Sequence, residues 1–129
     1  MTEKHFLETY TKLVDQLLKI EHTAIIICSL VPRLSNGSQE KRHDMSIPNQ
    51  ILRKLAQQYR VKGSHVQFLS LNNIVLECGP DGDRVVKRDS LKVDGVHLAQ
   101  ASVEKVAEQL LFMIQRMPND WFPLDPQEY

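Results

Sequence analysis

Cysteine is almost missing from this chain. Cys28 and Cys78 stand alone, with no second thiol at a metal-ligand spacing, so neither a disulfide framework nor a cysteine-based zinc site is encoded. The two thiols read as small buried hydrophobes in a reducing compartment. Long apolar runs are missing too. No stretch approaches the roughly 20 residues that a spanning helix needs. Thr2-Glu3-Lys4-His5 leads into a helical pattern rather than an apolar run, so no signal peptide is expected. The expectation is an intracellular protein, cytoplasmic or nuclear, with no membrane partner. An excess of one charge sign is also absent. Sixteen basic residues balance sixteen acidic ones, so bulk charge does not draw nucleic acid or anionic membrane, and only a local patch can do so. His5, His22, His43, His65 and His97 are scattered without ligand spacing, so no metal and no cofactor is expected. Internal repeats and low-complexity segments are lacking as well.

What is present is enough for one compact domain of 129 residues. Phe6, Tyr10, Leu13, Val14, Leu17 and Leu18 recur at steps of three and four and predict a first helix. Thr23-Ala24-Ile25-Ile26-Ile27-Cys28-Ser29-Leu30 is continuously apolar, without alternation. That predicts a strand covered on both faces, as in a parallel sheet, ended by Val31-Pro32-Arg33. Residues 34–46 read as a polar loop with an Asn36-Gly37 turn, and Lys41-Arg42-His43 within it as solvated charge. A second helix starts with Ser46 as N-cap and Pro48 in its first turn. It carries Ile51, Leu52, Leu55, Ala56 and Tyr59 as its apolar stripe and closes at Lys62-Gly63.

A second strand is expected over 65–71, and a loop-rich stretch over 72–96 with Cys78-Gly79-Pro80-Asp81-Gly82-Asp83 as a breaker run. The last helix presents Val103, Val106, Ala107, Leu110, Leu111, Ile114 and Met117, and Pro118 ends it. The folded domain is thus expected over 1–117. Residues 118–129 form a proline-rich arm whose Trp121, Phe122 and Leu124 lie over apolar surface or dock a partner. A strand–helix–strand unit of this length implies a right-handed parallel crossover.

Asp94-Gly95-Val96-His97-Leu98 sits just ahead of the last helix. A carboxylate and an imidazole three residues apart at a helix start can meet. Asp94 would accept from one ring nitrogen of His97 and leave the other to act as a general base, and Gly95 lets the backbone bend. The same spacing also arises where an aspartate caps a helix beside a surface histidine. Upstream, Arg84, Lys87, Arg88 and Lys92 form a basic cluster broken by Asp83 and Asp89. It reads as a solvated loop or as a phosphate contact to RNA or DNA. Ser29 and Ser90 lack the strand-to-helix elbow of a hydrolase nucleophile and read as turn or packing residues.

The string Val93-Asp94-Gly95-Val96-His97-Leu98 followed by an amphipathic helix resembles the last block of SGNH/GDSL hydrolases, usually D-G-x-H-L. The run Ala24 to Arg33 is similar to the strand of that family that ends in a Pro-Arg or Pro-Pro turn. Its Leu-Val-Pro-Arg-Leu version resembles esterase-like domains of non-LTR retrotransposon proteins. The resemblance covers the whole chain in order and spacing, as the C-terminal half of such a domain. It implies an α/β fold, a partial flavodoxin-like three-layer arrangement with a short parallel sheet and helices on both faces. Of the family's 2-1-3-4-5 strand order this chain would supply the last two strands. The resemblance makes His97 the base and Asp94 its orienting partner.

The family's Gly-Asp-Ser nucleophile block and its glycine and asparagine oxyanion donors have no counterpart here. The chain begins about where the asparagine block would end. Three functions follow as expectations. The first is a truncated SGNH-like domain acting as a binding or assembly module. The second is the C-terminal half of a serine esterase whose nucleophile comes from missing sequence or a partner chain. The third is a nucleic-acid module using Arg84, Lys87, Arg88 and Lys92. In the resembled fold, strand 23–30 would have strand 65–71 on one side only. Its uncharged, proline-free edge would then recruit a second copy or a complementary N-terminal half.

Overall fold

The side-chain oxygen of Thr2 accepts from the His5 N–H at 3.1 Å, which satisfies one of the donors that a helix start leaves over. From this cap a computed structural model, describing residues 2–35, 38–43, 45–92, 94–118 and 121, follows the chain through ten elements. They are α1 (Glu3–Leu18), β1 (Ile25–Cys28), β2 (Arg33–Ser35), β3 (Ser38–His43), α2 (Ser46–Val61), β4 (Val66–Leu69), α3 (Asn72–Val75), β5 (Leu76–Cys78), β6 (Arg84–Val86) and α4 (Gln100–Gln115). The chain is mixed α/β, and the central pair β1–β4 is parallel with Ile25 opposite Val66 and Cys28 opposite Leu69. A parallel pair needs a crossover, and α2 supplies it.

Side chains alternate across a strand, and the two faces of β1 enter two different cores. Ile25 and Ile27 join Val14 of α1, Leu52, Leu55, Ala56 and Tyr59 of α2, and Val66 of β4. Ile26 and Cys28 pack instead against Leu69, Leu71, Ile74 and Val75, together with Val106, Leu110 and Met113 of α4. The first two helices therefore cover one face of the sheet and the last helix the other. The unbroken apolar run at 24–28 is the sequence cause of this double burial. Burial also pushes the Cys28 thiol up from its ordinary value.

Two stretches expected to be loops contain hairpins. Residues 34–46 hold the antiparallel pair β2–β3, with Arg33 opposite His43, Leu34 opposite Arg42 and an irregularity at Leu34/Ser35. The Asn36-Gly37 turn lies outside the described residues. Residues 72–96 hold α3 and the pair β5–β6. The breaker run forms the hairpin tip, where Gly79 N–H donates to the Asp83 carbonyl at 2.6 Å and Gly82 takes φ +82°. The β2–β3 strands are largely polar, while in the β5–β6 pair Leu76 lies opposite the buried Val86 and packs against the second core. Ser46 is the first helical residue of α2, with Met45 at the cap position, not the cap itself. Gly63, φ +88°, closes that helix as expected. Of the 118–129 arm, only Pro118 and Trp121 are described, and Trp121 stacks on His65 with ring centroids 4.8 Å apart. The readings for Phe122 and Leu124 lie outside the described residues.

The apolar stripes of α1 and α4 are broader than what the fold covers. On α1, at about 100° per residue, Val14 marks the buried centre. Asp15 and Thr11 lie on the flank toward α2, because the buried Tyr59 hydroxyl donates to the Asp15 carboxylate with the Thr11 carbonyl 3.4 Å away. Leu13 and Leu17, with Ile20 just past the helix end, occupy the opposite flank and are exposed. On α4, Val106, Leu110 and Met113 face the core. Gln109, Phe112 and Arg116 on one flank line a groove of about 520 Å³ with Gln67 and Leu69 of β4. Val103, Ala107, Leu111 and Ile114 fall on the other flank and are exposed. The sequence stripe put Leu13, Leu17, Val103, Ala107, Leu111 and Ile114 on the apolar faces of their helices, and the structure leaves all six open.

Tyr59 gives a pH-dependent prediction. Burial first, then the hydrogen bond and charge of Asp15, push its hydroxyl up to about 12. A folded-state value above the unfolded one contributes stability that is complete below the ordinary value of 10 and is lost as pH rises toward 12. Urea midpoints should therefore fall between about pH 10 and 12. Tyr59→Phe should begin about 1 kcal/mol less stable at neutral pH and decline less across that window. Parallel curves for the two proteins would remove Tyr59 as the titrating group.

Candidate functional site: the Asp94–His97 loop

The loop between β6 and α4 is tied down at its base before it reaches its chemistry. Ser90 is buried, and its hydroxyl donates to the Lys87 carbonyl at 2.8 Å. The Ser90 carbonyl accepts from the Ala99 N–H and from the Ser102 hydroxyl, the latter at 2.7 Å. Leu91 and Leu98 form an antiparallel bridge, and the Lys92 N–H donates to the His97 carbonyl at 2.7 Å. Asp94 to His97 thus ride the tip of a small closed loop, on a rigid stem.

At that tip one carboxylate organises everything. Asp94 Oδ1 accepts from the Val96 N–H at 2.9 Å and the His97 N–H at 3.1 Å. Asp94 Oδ2 lies 2.5 Å from His97 Nδ1. The His97 hydrogen bond first, and the two backbone donors next, hold the Asp94 carboxyl well below the usual carboxylate range. An ionised carboxylate only accepts, so Nδ1 carries the proton of this bond. Nε2 is then the ring position left for other chemistry, and the imidazole is exposed. The expected Asp–His contact is therefore formed. It is an aspartate that orients a histidine, and in the same act it caps the turn around it.

Gly95 explains how this tip reaches the rest of the fold. Its φ is +70°, and a Cβ there would sit 2.4 Å from the Leu34 carbonyl oxygen. Its own carbonyl accepts from the Leu34 N–H at 2.9 Å. Leu34 closes the Leu30-Val31-Pro32-Arg33-Leu34 run that leaves β1. The two segments that carried the family resemblance in the sequence are in direct contact, at the C-terminal end of the parallel strands.

The other candidates fare differently. Ser29 is buried with its hydroxyl accepting from the Leu71 N–H at 2.8 Å, and Ser90 is bonded as above, so both serve the backbone. Lys87 Nζ donates to the Asn73 carbonyl at 2.7 Å. Arg88 lies 4.0 Å from Asp89, both nearly fully exposed, and Lys92 is exposed. Arg84 lines a cleft together with Asp83.

Sequence reasoning missed Asn49. Its side-chain amide takes both backbone groups of Leu30: the Leu30 N–H donates to Oδ1 at 2.6 Å, and Nδ2 donates to the Leu30 carbonyl at 2.9 Å. This clamp fixes the strand exit that carries Pro32 and Leu34. Only its place one residue after a helix-starting Pro48 hinted at it. Beside it opens a cleft of about 440 Å³, lined by Leu30, Pro32, Asn49, Asn72, Asp83 and Arg84 among others, but by neither Asp94 nor His97.

Among the described residues no three His, Cys, Asp or Glu side chains are grouped to hold a metal, and no helix is long and apolar enough to cross a membrane. No family model matches the chain, and no curated protein or solved structure is significantly similar to it.

Proposed function

We propose that this chain is the C-terminal half of an SGNH-like, flavodoxin-type domain and works as an assembly module, completed by a partner along its central strand. One observation carries the reading: three unsatisfied surfaces lie on the same side. β1 has a single neighbour, β4, among the described residues. The open flank of α1 faces away from α2, and α2 is the helix that lies mainly over β4. The open flank of α4 faces away from the groove it shares with β4. Strand edge and both helix flanks therefore open beyond β1, where a doubly wound sheet would continue. The contact between Leu34 and Gly95 supports the same reading, since it joins the two resembling segments.

Amide hydrogen exchange tests it. Ile25 and Ser29 donate to His65 and Leu69, so alternate residues of β1 serve β4, and Ile26 and Cys28 point the other way. In dilute protein the Ile26 and Cys28 amides should exchange much faster than those of Ile25 and Ile27, and slow down once a partner is bound. Protection of all four in a proven monomer would mean that the chain covers its own edge, and the module reading would fall.

A second reading, an esterase half whose nucleophile comes from a partner, is favoured by one feature: His97 is oriented through Nδ1 and presents an exposed Nε2. This chain alone should not hydrolyse p-nitrophenyl acetate above background, because a general base without a placed hydroxyl and oxyanion donors lacks the larger part of the rate, about 10²–10³ for one donor alone. Turnover abolished both by His97→Ala and by one serine substitution would contradict this.

A further inference from the structure

We infer that the partner on the β1 edge is a second copy of this chain, joined antiparallel about a twofold axis at Ile27. The inference rests on the assembly reading and gives it an occupant.

The backbone sets the geometry. Ile26 and Cys28 direct their N–H and C=O groups outward, while Asn49 already occupies both groups of Leu30. Two such edges related by a twofold along the strands would set equal residues opposite each other in parallel, and parallel ladders need a one-residue offset that this symmetry forbids. A twofold perpendicular to the sheet has no such conflict. Ile26 of one copy then faces Cys28 of the other, and each pair exchanges both of its hydrogen bonds. Four ladder bonds form, and every outward group of β1 between these residues is used.

The same axis keeps each sheet face on its own side. Open flank meets open flank: α1 lies beside α1 of the second copy, and α4 beside its own counterpart. Leu13 (52% exposed), Leu17 (36%) and Ile20 (60%) are thereby covered on one face, and Val103 (45%), Leu111 (57%) and Ile114 (49%) on the other. The α1 flank carries no charged residue, and on the α4 flank only the exposed Glu104 borders the apolar row, beside Leu111 at its outer rim; β1 has none of the lysines or prolines that protect natural edges. With the edge itself, these side chains offer roughly 500–600 Å² per copy, or about 1,100 Å² for the pair, above the roughly 1,000 Å² that a biological interface must clear and at the small end of the scale. A partner with charged helix flanks would fit this surface worse than the chain fits itself.

Sedimentation equilibrium of the full chain from about 1 to 100 µM is the test, with Leu17→Glu and Leu111→Glu as variants. Both positions are exposed in one copy, so folding should survive, which circular dichroism checks. The wild type should sediment as a dimer, and each variant should raise the dissociation constant about 100-fold or more. A wild type that stays monomeric at 100 µM overturns the second copy as occupant, as does a dimer indifferent to both variants. Hydrogen exchange on that same monomer separates the two ideas. Fast exchange at Ile26 and Cys28 leaves the module awaiting a different half, and slow exchange removes the open edge itself.

Discussion

Gly95→Ala should lower stability by about 2–4 kcal/mol and detach the Asp94–His97 tip from β2. Two effects add at this position. The φ of +70° is one that a side chain adopts at a penalty near 1 kcal/mol. In addition, a Cβ would lie 2.4 Å from the Leu34 carbonyl oxygen and 2.9 Å from the Leu34 Cβ. The first of those neighbours is backbone, so relief requires the whole loop to retreat, and the Gly95–Leu34 hydrogen bond is lost with it. Gly63→Ala is the control. Its φ of +88° carries the same conformational penalty, but nothing lies within 4 Å of the added carbon. Thermal unfolding should show Gly95→Ala melting well below Gly63→Ala, by roughly 3–5 °C per kcal/mol of difference. Equal melting temperatures would mean that the close approach to Leu34 is not maintained in solution.

The other large effect is expected in the core. Leu52 of α2 is fully buried among Val14, Ile25, Ile27 and Val66. Leu52→Ala removes three carbons from a site bounded by two helices and two strands, which limits its collapse. The expected loss is about 3–5 kcal/mol by urea unfolding, a large share of the 5–15 kcal/mol typical of a whole domain. Val61→Ala, on the same helix but 81% exposed, should stay within about 0.5 kcal/mol of wild type. A loss below about 1 kcal/mol for Leu52→Ala would place the centre of the fold elsewhere.

Leu52 also shows why parts of this fold are legible in the sequence. Its helix has a stripe matched by a partner on every side, so periodicity and burial coincide over Leu52, Leu55, Ala56 and Tyr59. The isoleucines of β1 were equally readable, since a strand without polar alternation must be covered twice. α1 and α4 were readable as helices on opposite faces of the sheet, but not in how much of each stripe the sheet covers. Leu13, Leu17, Leu111 and Ile114 obey the same period as buried residues, and periodicity reports that a face is apolar, not that anything covers it. The β2–β3 and β5–β6 hairpins escaped because three-residue strands such as Arg33–Ser35 and Arg84–Val86 carry too little pattern. At the site, the Asp94–His97 contact was legible because three residues of sequence fix it. The need for glycine at 95 depends on the carbonyl of Leu34, and the Asn49 clamp depends on the end of β1. Neither relation has a local signature.

The Leu34–Gly95 contact bears on the order in which the molecule assembles. Its two residues are about sixty positions apart, so closing that loop is entropically expensive and yields little apolar burial in return. The α1–α2 pairing and the β1–β4 ladder bury far more per residue ordered. They are the natural nucleus, and the Asp94–His97 tip joins them late. A region that docks late, through few contacts, opens early. During gentle unfolding His97 should therefore lose its fixed surroundings while the isoleucine core still stands, and the Asp94–His97 pairing would come apart before the architecture does.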